Sequence, residues 1–129
     1  MVALLLAACE GDAAARAEAE RVVSAVRALR EAGNEDKPAR LAALRAVECT
    51  LPDVRELKSE CVSAYELYAK GLDAVRAVKK SLASDAGEGD AKRAAELLAD
   101  AERDVAAGKQ RASRCAELEG RVVVKHKLR

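Results

Sequence analysis

Residues 54–82 read VRELKSECVSAYELYAKGLDAVRAVKKSL, and the spacing of apolar and small residues in this stretch decides the fold. One series recurs every seven residues, and a second series with the same period is offset from it by three. The two series are Val54, Cys61, Tyr68, Val75 and Leu82, and Leu57, Ala64, Gly71 and Val78. An a/d pattern held over about four heptads predicts one long α-helix whose seam, about 45 Å in length, packs against a partner helix.

A second long helix downstream supplies the partner for this seam. Loop-forming residues occupy 84–89, Asp90 is a good N-cap, and apolar residues then recur at spacings of three and four until a helix end expected near Gly120. Because the connecting loop is short, we expect the third and fourth helices to pack as an antiparallel hairpin. Gly71 and Gly108 either allow the two backbones to approach closely or are merely tolerated breaks.

Two shorter helices precede the hairpin, at roughly residues 13–32 and 36–48. Neither is long enough to cover the hairpin alone, but end to end they match its length. Thr50 is expected to begin the third helix through a capping box with Asp53. The predicted fold class is therefore all-α: an antiparallel helical bundle in which a long coiled-coil-like hairpin of helices three and four is covered by two shorter helices.

The composition fits an all-α fold and excludes several function classes. Alanine, the best helix former, dominates the apolar half of the 129 residues, and 35% of the residues are charged. The net charge is +1 and the only aromatic residues are Tyr65 and Tyr68, so the basic excess and stacking aromatics typical of nucleic-acid-binding proteins are missing. No apolar stretch approaches the roughly 20 residues of a transmembrane helix, so contact with a membrane would require an anchor.

The hairpin geometry predicts a disulfide between Cys61 and Cys115. Both cysteines lie on apolar seams, and both are 27 residues from the expected loop centre near residue 88, so they face each other in an antiparallel pair. A Cys49–Cys61 pairing is less favourable because the turn between helices two and three separates the two residues. The alternative to a disulfide is that Cys61 and Cys115 are reduced and pack as small buried apolar residues, as in a cytosolic protein.

The N-terminus reads MVALLLAACEGD, an apolar run that ends at Cys9 and is followed by small and charged residues. The stretch Leu6-Ala7-Ala8-Cys9 resembles the lipobox of bacterial lipoproteins, in which a signal peptidase cuts before the cysteine and acyl chains are attached to it. The resemblance implies that Cys9 is the lipidation site. None of the preceding residues is Lys or Arg, and the alternative is an apolar tail or helix start. The expected organisation is a signal-peptide remnant, a short linker, one bundle domain and a basic tail, at residues 1–8, 9–12, 13–120 and 121–129.

The stretch from Asp53 to Tyr65, together with Cys115 on a later helix, resembles small helical bacterial lipoproteins over roughly residues 40–120. These proteins share a Leu-x-x-x-Cys-Val-x-Ala-Tyr helix and a second cysteine on the last helix. The resemblance implies acylation at Cys9 and a bridge between Cys61 and Cys115, and it carries no activity. If Cys9 is acylated, Cys49 is left without a partner; if it is not, a Cys9–Cys49 bridge becomes possible.

The sequence contains no recognisable catalytic, cofactor or metal motif. His126 is the only histidine and is expected in a solvated tail, and CxxC pairs, phosphate-binding loops and Glu-x-x-His pairs are absent. Tyr65 and Tyr68 either fill the core or form a small exposed contact patch. We therefore expect no enzyme, cofactor, metal, small-molecule substrate or nucleic acid.

The function expected from the sequence is that of a lipid-anchored helical protein of the bacterial cell envelope, facing the periplasm. It would contact the membrane through acyl chains on Cys9 and would have a structural role or bind a protein partner. The alternatives are a soluble periplasmic chaperone-like or adaptor protein with an exposed apolar groove, and a cytosolic coiled-coil interaction module that dimerises through its heptad seam.

Overall fold

The structure is a computed structural model that describes residues 4–83 and 87–129. Within those ranges it contains four α-helices, which are α1 Leu4–Glu31, α2 Lys37–Ala46, α3 Pro52–Leu82 and α4 Glu88–Lys125. No strand occurs in the described residues. The predicted all-α fold class is confirmed.

α3 and α4 form the antiparallel hairpin that the heptads predict. The buried seam of α4 repeats every seven residues and consists mostly of small residues: Ala94, Ala101, Gly108, Cys115 and Val122. A Cβ atom on Gly108 would lie 3.3 Å from the carbonyl oxygen of Ala64, and one on Gly71 would lie 2.8 Å from Val105 Cγ2. Both glycines therefore permit close approach of the two helices and are not merely tolerated breaks.

α1 and α2 lie side by side and antiparallel, so the end-to-end arrangement expected from their lengths is wrong. The loop between them reverses the chain, and the amides of Asp36 and Lys37 both donate to the carbonyl oxygen of Gly33, at 3.0 and 3.1 Å. Among the described residues, α2 contacts α1 and α3, whereas α1 contacts the other three helices. Pairing side by side places Leu29 and Leu41 in one apolar cluster, so the apolar stripes of both short helices are buried.

The main hydrophobic cluster lies in the half of the bundle in which α1 and α2 cover the hairpin. It combines residues of all four helices: Ala19, Val22, Val23, Val26, Leu29, Leu41, Leu44, Val54, Leu57, Cys61, Cys115, Leu118 and Val122. We call this half the base. Residues 74–82 of α3 and 88–104 of α4, about 13 and 25 Å of helix, form the other half, and we call them the distal hairpin.

Two segments expected outside the helices are helical. Residues 9–12 continue α1 and do not form a linker, because they contain no proline to end the helix and alanines, the best helix formers, lie on both sides of them. α4 continues past Gly120 to Lys125. Val122 is 2% exposed, and its burial in the core outweighs the weaker helix propensity of three consecutive valines.

The chain leaves α4 through a Schellman turn. The amide of Lys127 donates to the carbonyl oxygen of Val124 at 3.3 Å, and that of Leu128 to Val123 at 2.9 Å. Lys127 has the left-handed backbone of this turn, with φ 54°. Leu128 and Val123 both pack against the core, so residues 121–128 belong to the base and the expectation of a separate tail is wrong.

Candidate functional site

The structure places Cys61 of α3 and Cys115 of α4 at disulfide distance, as the hairpin geometry predicts. Their Sγ atoms are 1.99 Å apart and their Cα atoms 4.9 Å apart. Both residues are buried in the core, 0% and 2% exposed. The bridge closes a loop that contains the distal hairpin, and it joins the two long helices at the point where α1 and α2 cover them.

Cys49 follows α2 and is a free, half-buried cysteine. It lines a shallow surface hollow together with Arg55 and Lys58. The Lys58 ammonium donates to the carbonyl oxygen of Val47 at 2.7 Å, which fixes the turn before α3. Cys9 lies in the first turns of α1, but its side chain is outside the described part of the structure, so the lipidation site and a Cys9–Cys49 bridge stay predictions.

Glu18 of α1 caps the chain at the start of α3, and the capping box expected between Thr50 and Asp53 is wrong. One carboxylate oxygen of Glu18 accepts the amides of Thr50 and Leu51, the latter at 2.8 Å, and the other accepts the Thr50 hydroxyl at 3.1 Å. Glu18 is 9% exposed. The start of α3 is thus capped by the Glu18 carboxylate of α1, and not by a side chain of its own first turn.

The electrostatic environment of Glu18 favours its charged form. Burial raises the pKa of the carboxyl, but the amides of Leu51 and Thr50, the Thr50 hydroxyl and the charge of Arg21 outweigh burial and lower it overall. Glu18 is therefore a carboxylate at neutral pH, and its charge contributes to the stability of the base.

His126 joins the end of α4 to the start of α3, so its expected place in a solvated tail is wrong. Its Nε2 lies 2.8 Å from Oδ2 of Asp53, and the His126 side chain is 10% exposed. The Lys125 ammonium lies 3.5 Å from the same oxygen. Burial raises the pKa of Asp53, but the hydrogen bond with His126 and the charge of Lys125 outweigh it and lower the pKa overall.

Glu119 is a buried carboxylate that the sequence reasoning missed. Arg27 Nε donates to it at 3.0 Å, and Arg30 also donates to it, so two cations of α1 are held against α4. Arg27 additionally donates to the carbonyl oxygen of Arg129 at 3.0 Å. Glu119 continues a seven-residue series on α4 from Leu98, and this position on an apolar flank was the signal that could have revealed it.

Both tyrosines line a cleft of about 260 Å³ beside the loop between α1 and α2. The ring centroids of Tyr65 and Tyr68 are 5.9 Å apart in an edge-to-face arrangement, and the Lys37 ammonium lies 5.5 Å from the Tyr65 ring centroid. The remaining lining residues are Leu29, Asn34, Pro38, Leu41, Arg45, Ala69, Leu72, Asp73 and Arg76. Both tyrosines are half-buried, so each contributes to the packing and to an accessible surface.

The polar side chains of the base hold the helices together. In the described part of the chain, every buried side-chain nitrogen or oxygen has a hydrogen-bond partner, and no group of His, Cys, Asp and Glu could hold a metal ion. None of the helices within residues 4–83 and 87–129 is long and apolar enough to cross a membrane. The buried carboxylates Glu18 and Glu119 are thus engaged in contacts between helices.

Comparison with protein family models, with curated proteins and with solved structures gives no match.

Proposed function

We propose that the protein is a lipid-anchored helical protein of the bacterial cell envelope, acylated at Cys9, with a structural or protein-binding role. The position of Cys9 relative to the core carries the proposal. Among the described side chains of α1, residues 10–14 are exposed and the first buried ones are Glu18 and Ala19. Cleavage before Cys9 would leave all of these described core contacts in place, with Cys9 about 14 Å along the helix from Glu18.

The disulfide-distance pair of Cys61 and Cys115 supports export. Disulfides form and persist in oxidising compartments such as the periplasm and are rare in the cytosol. The distal hairpin extends from the base in the direction opposite to the N-terminus of α1. An anchor on Cys9 would therefore hold the base at the membrane and leave the distal hairpin pointing away from it.

The exposed leucines of the distal hairpin favour a binding role over a purely structural one. Leu82 is 64% exposed and Leu98 39% exposed, and the cleft at Tyr65 and Tyr68 lies next to this surface. A soluble periplasmic adaptor would present the same surface and is the second candidate. Most of the heptad seam of α3 is buried within its own chain, up to Val78, which gives little support to a module that dimerises along the whole seam.

The test is the intact mass of the protein expressed from its full reading frame in a lipoprotein-competent bacterium, with Cys9→Ser as the variant. We expect a chain that begins at Cys9 and carries added acyl chains, and an unacylated chain from Cys9→Ser. Cys49→Ser is the matched control and should keep the acyl mass. An unmodified Cys9 in the wild-type protein would refute the anchor, and four alkylatable thiols without reduction would also refute the disulfide.

A further inference from the structure

The distal hairpin leaves uncovered an apolar face that is continuous with the base. On α4, Leu98, Val105 and Ala112 follow one another at the seven-residue spacing that leads to Glu119, the residue that binds α1. On α3, Leu72 lines the cleft against the loop between α1 and α2. The same side of the hairpin that α1 and α2 cover in the base is therefore uncovered beyond them. We call it the distal face. Its exposed members are Leu82 of α3 and Ala91, Ala95 and Leu98 of α4, and its half-buried members are Leu72, Val75 and Val105, of which Leu72 and Val105 lie where the face meets the base.

The opposite flank of the hairpin carries ion pairs between α3 and α4. It carries the pairs Lys70–Asp104, Glu60–Arg111 and Glu56–Arg114, with nitrogen–oxygen distances of 3.2–3.5 Å. On this flank of α4 the exposed Leu97 is followed at seven-residue spacing by the charged residues Asp104 and Arg111, whereas the series that starts at Leu98 stays apolar as far as Ala112. A helix of a two-helix hairpin needs only the seam, so the extra apolar width is typical of a surface that packs against a further helix.

We propose that the distal face binds an amphipathic helix of another protein. The bound helix would lie in the groove between α3 and α4, with one end against the loop that joins α1 and α2. The inference rests on the proposed binding role and does not depend on acylation. The groove offers what recognition of a helix requires: an apolar floor for alternate turns of the bound helix and polar edges that fix its orientation.

The charges at the two edges define the chemistry of the bound helix. Along α3, Lys79 is exposed and lies one turn from Val75. Arg76, one turn from Leu72, is also exposed and pairs with Asp73 at 3.5 Å. Along α4, the exposed carboxylate of Glu102 lies one turn from Leu98. A helix with acidic residues on the flank next to α3 and basic residues on the flank next to α4 would complement both edges.

A second copy of this chain does not fit the distal face equally well. If two faces stacked with their hairpins antiparallel about a two-fold axis, α3 would lie on α3 of the other copy and the basic edges would face each other. If they stacked parallel, the α1 and α2 helices of both copies would occupy the same space. The face therefore favours a different partner over self-association.

The experiment uses a designed amphipathic peptide of about 18 residues, which spans about 27 Å as a helix. It carries a leucine stripe, glutamates on one flank and lysines on the other, and its binding to the purified chain is followed by fluorescence anisotropy. We expect saturable binding that weakens at least about tenfold in Leu98→Asp, the loss expected when one leucine contact is removed. A peptide of the same composition, with the leucine stripe scrambled, should not bind.

A matched pair of substitutions locates the site. Ala95→Asp lies on the distal face, and Ala107→Asp lies on the charged flank, seven residues before Arg114; both alanines are exposed. Ala95→Asp should weaken binding and Ala107→Asp should not. Equal effects of the two substitutions, or absence of saturable binding, would overturn the proposal. So would a concentration-dependent dimer in sedimentation that Leu98→Asp abolishes, because the occupant would then be a second copy. None of these outcomes bears on whether Cys9 is acylated, because acylation is read from the intact mass of the protein and not from peptide binding.

Discussion

Replacing Glu18 by Gln tests the contact by which α1 holds the start of α3. The wild-type carboxylate accepts two amides and one hydroxyl from Thr50 and Leu51. The glutamine side chain is the same size but has one acceptor oxygen, and its NH₂ group would face the Thr50 hydroxyl, which would have to accept instead of donate. The variant therefore removes the charge from the hydrogen bonds to the Thr50 and Leu51 amides while leaving the packing volume unchanged.

The expected loss follows from the number and kind of bonds weakened. A hydrogen bond to a charged group contributes about 1.5–3 kcal/mol and one between neutral groups about 0.5–1.5 kcal/mol, so each of the two amide bonds should lose about 1 kcal/mol or somewhat more. We expect the free energy of unfolding to fall by about 2–3 kcal/mol. Glu20→Gln is the control, since Glu20 lies on an exposed position of the same helix and should change stability by no more than about 0.5 kcal/mol.

Urea unfolding followed by circular dichroism measures both variants, first at neutral pH and then in acid. Because the folded state lowers the pKa of Glu18 below 4.5, its contribution is present above that pH and is lost as the pH falls through the folded-state pKa. Wild type and Glu18→Gln should therefore converge in acid. If Glu18→Gln costs no more than Glu20→Gln at neutral pH, or if the difference does not shrink in acid, the carboxylate does not cap α3.

Three further outcomes are expected in the same unfolding assay. Replacing Cys61 and Cys115 together by Ala should lower the free energy of unfolding by about 4 kcal/mol, since the bridge closes a 54-residue separation; a reductant should then have no effect on the variant. Asp53→Asn should destabilise the protein by about 1 kcal/mol at neutral pH, and this difference should vanish as acid protonates the wild-type carboxyl, whose pKa is lowered in the folded state. Gly120→Ala should stabilise by about 0.5–1 kcal/mol because open space surrounds it, whereas Gly108→Ala should gain less because its Cβ would meet a backbone oxygen at 3.3 Å.

The hairpin could be predicted from the sequence because its determinants are local and periodic. Heptads in residues 54–82 fix which face of α3 is buried, and a short loop requires the next helix to return along it. The register then follows from equal distances to the loop, which is why Cys61 and Cys115 could be paired in advance. Gly71 and Gly108 can be seen in the sequence, but whether they let the two helices approach closely depends on the residues opposite them, Val105 and Ala64, which only the structure shows.

The placement of α1 and α2 could not be predicted because it depends on contacts between segments that are distant in sequence. Their amphipathic stripes are compatible with either an end-to-end or a side-by-side arrangement, and burial of Leu29 with Leu41 decides for the second. Polar contacts were missed for the same reason. Glu18 and His126 bind residues 32 and 73 positions away, and nothing in their own neighbourhoods distinguishes them from solvated side chains.

The base contains more of the contacts that stabilise the fold than the distal hairpin does, and this difference fits the two proposed roles of anchoring and binding. The base holds the large apolar side chains and the buried carboxylates Glu18 and Glu119. The distal hairpin buries mainly alanine and valine, and two helices of this length with so little apolar area are marginal by themselves. The bridge between Cys61 and Cys115 closes the loop that contains them, so it restricts how far they can separate. The well-packed base is suited to carry the proposed anchor at Cys9. The distal hairpin is held together by the disulfide but buries little apolar area, and a bound helix on the proposed distal face would bury more.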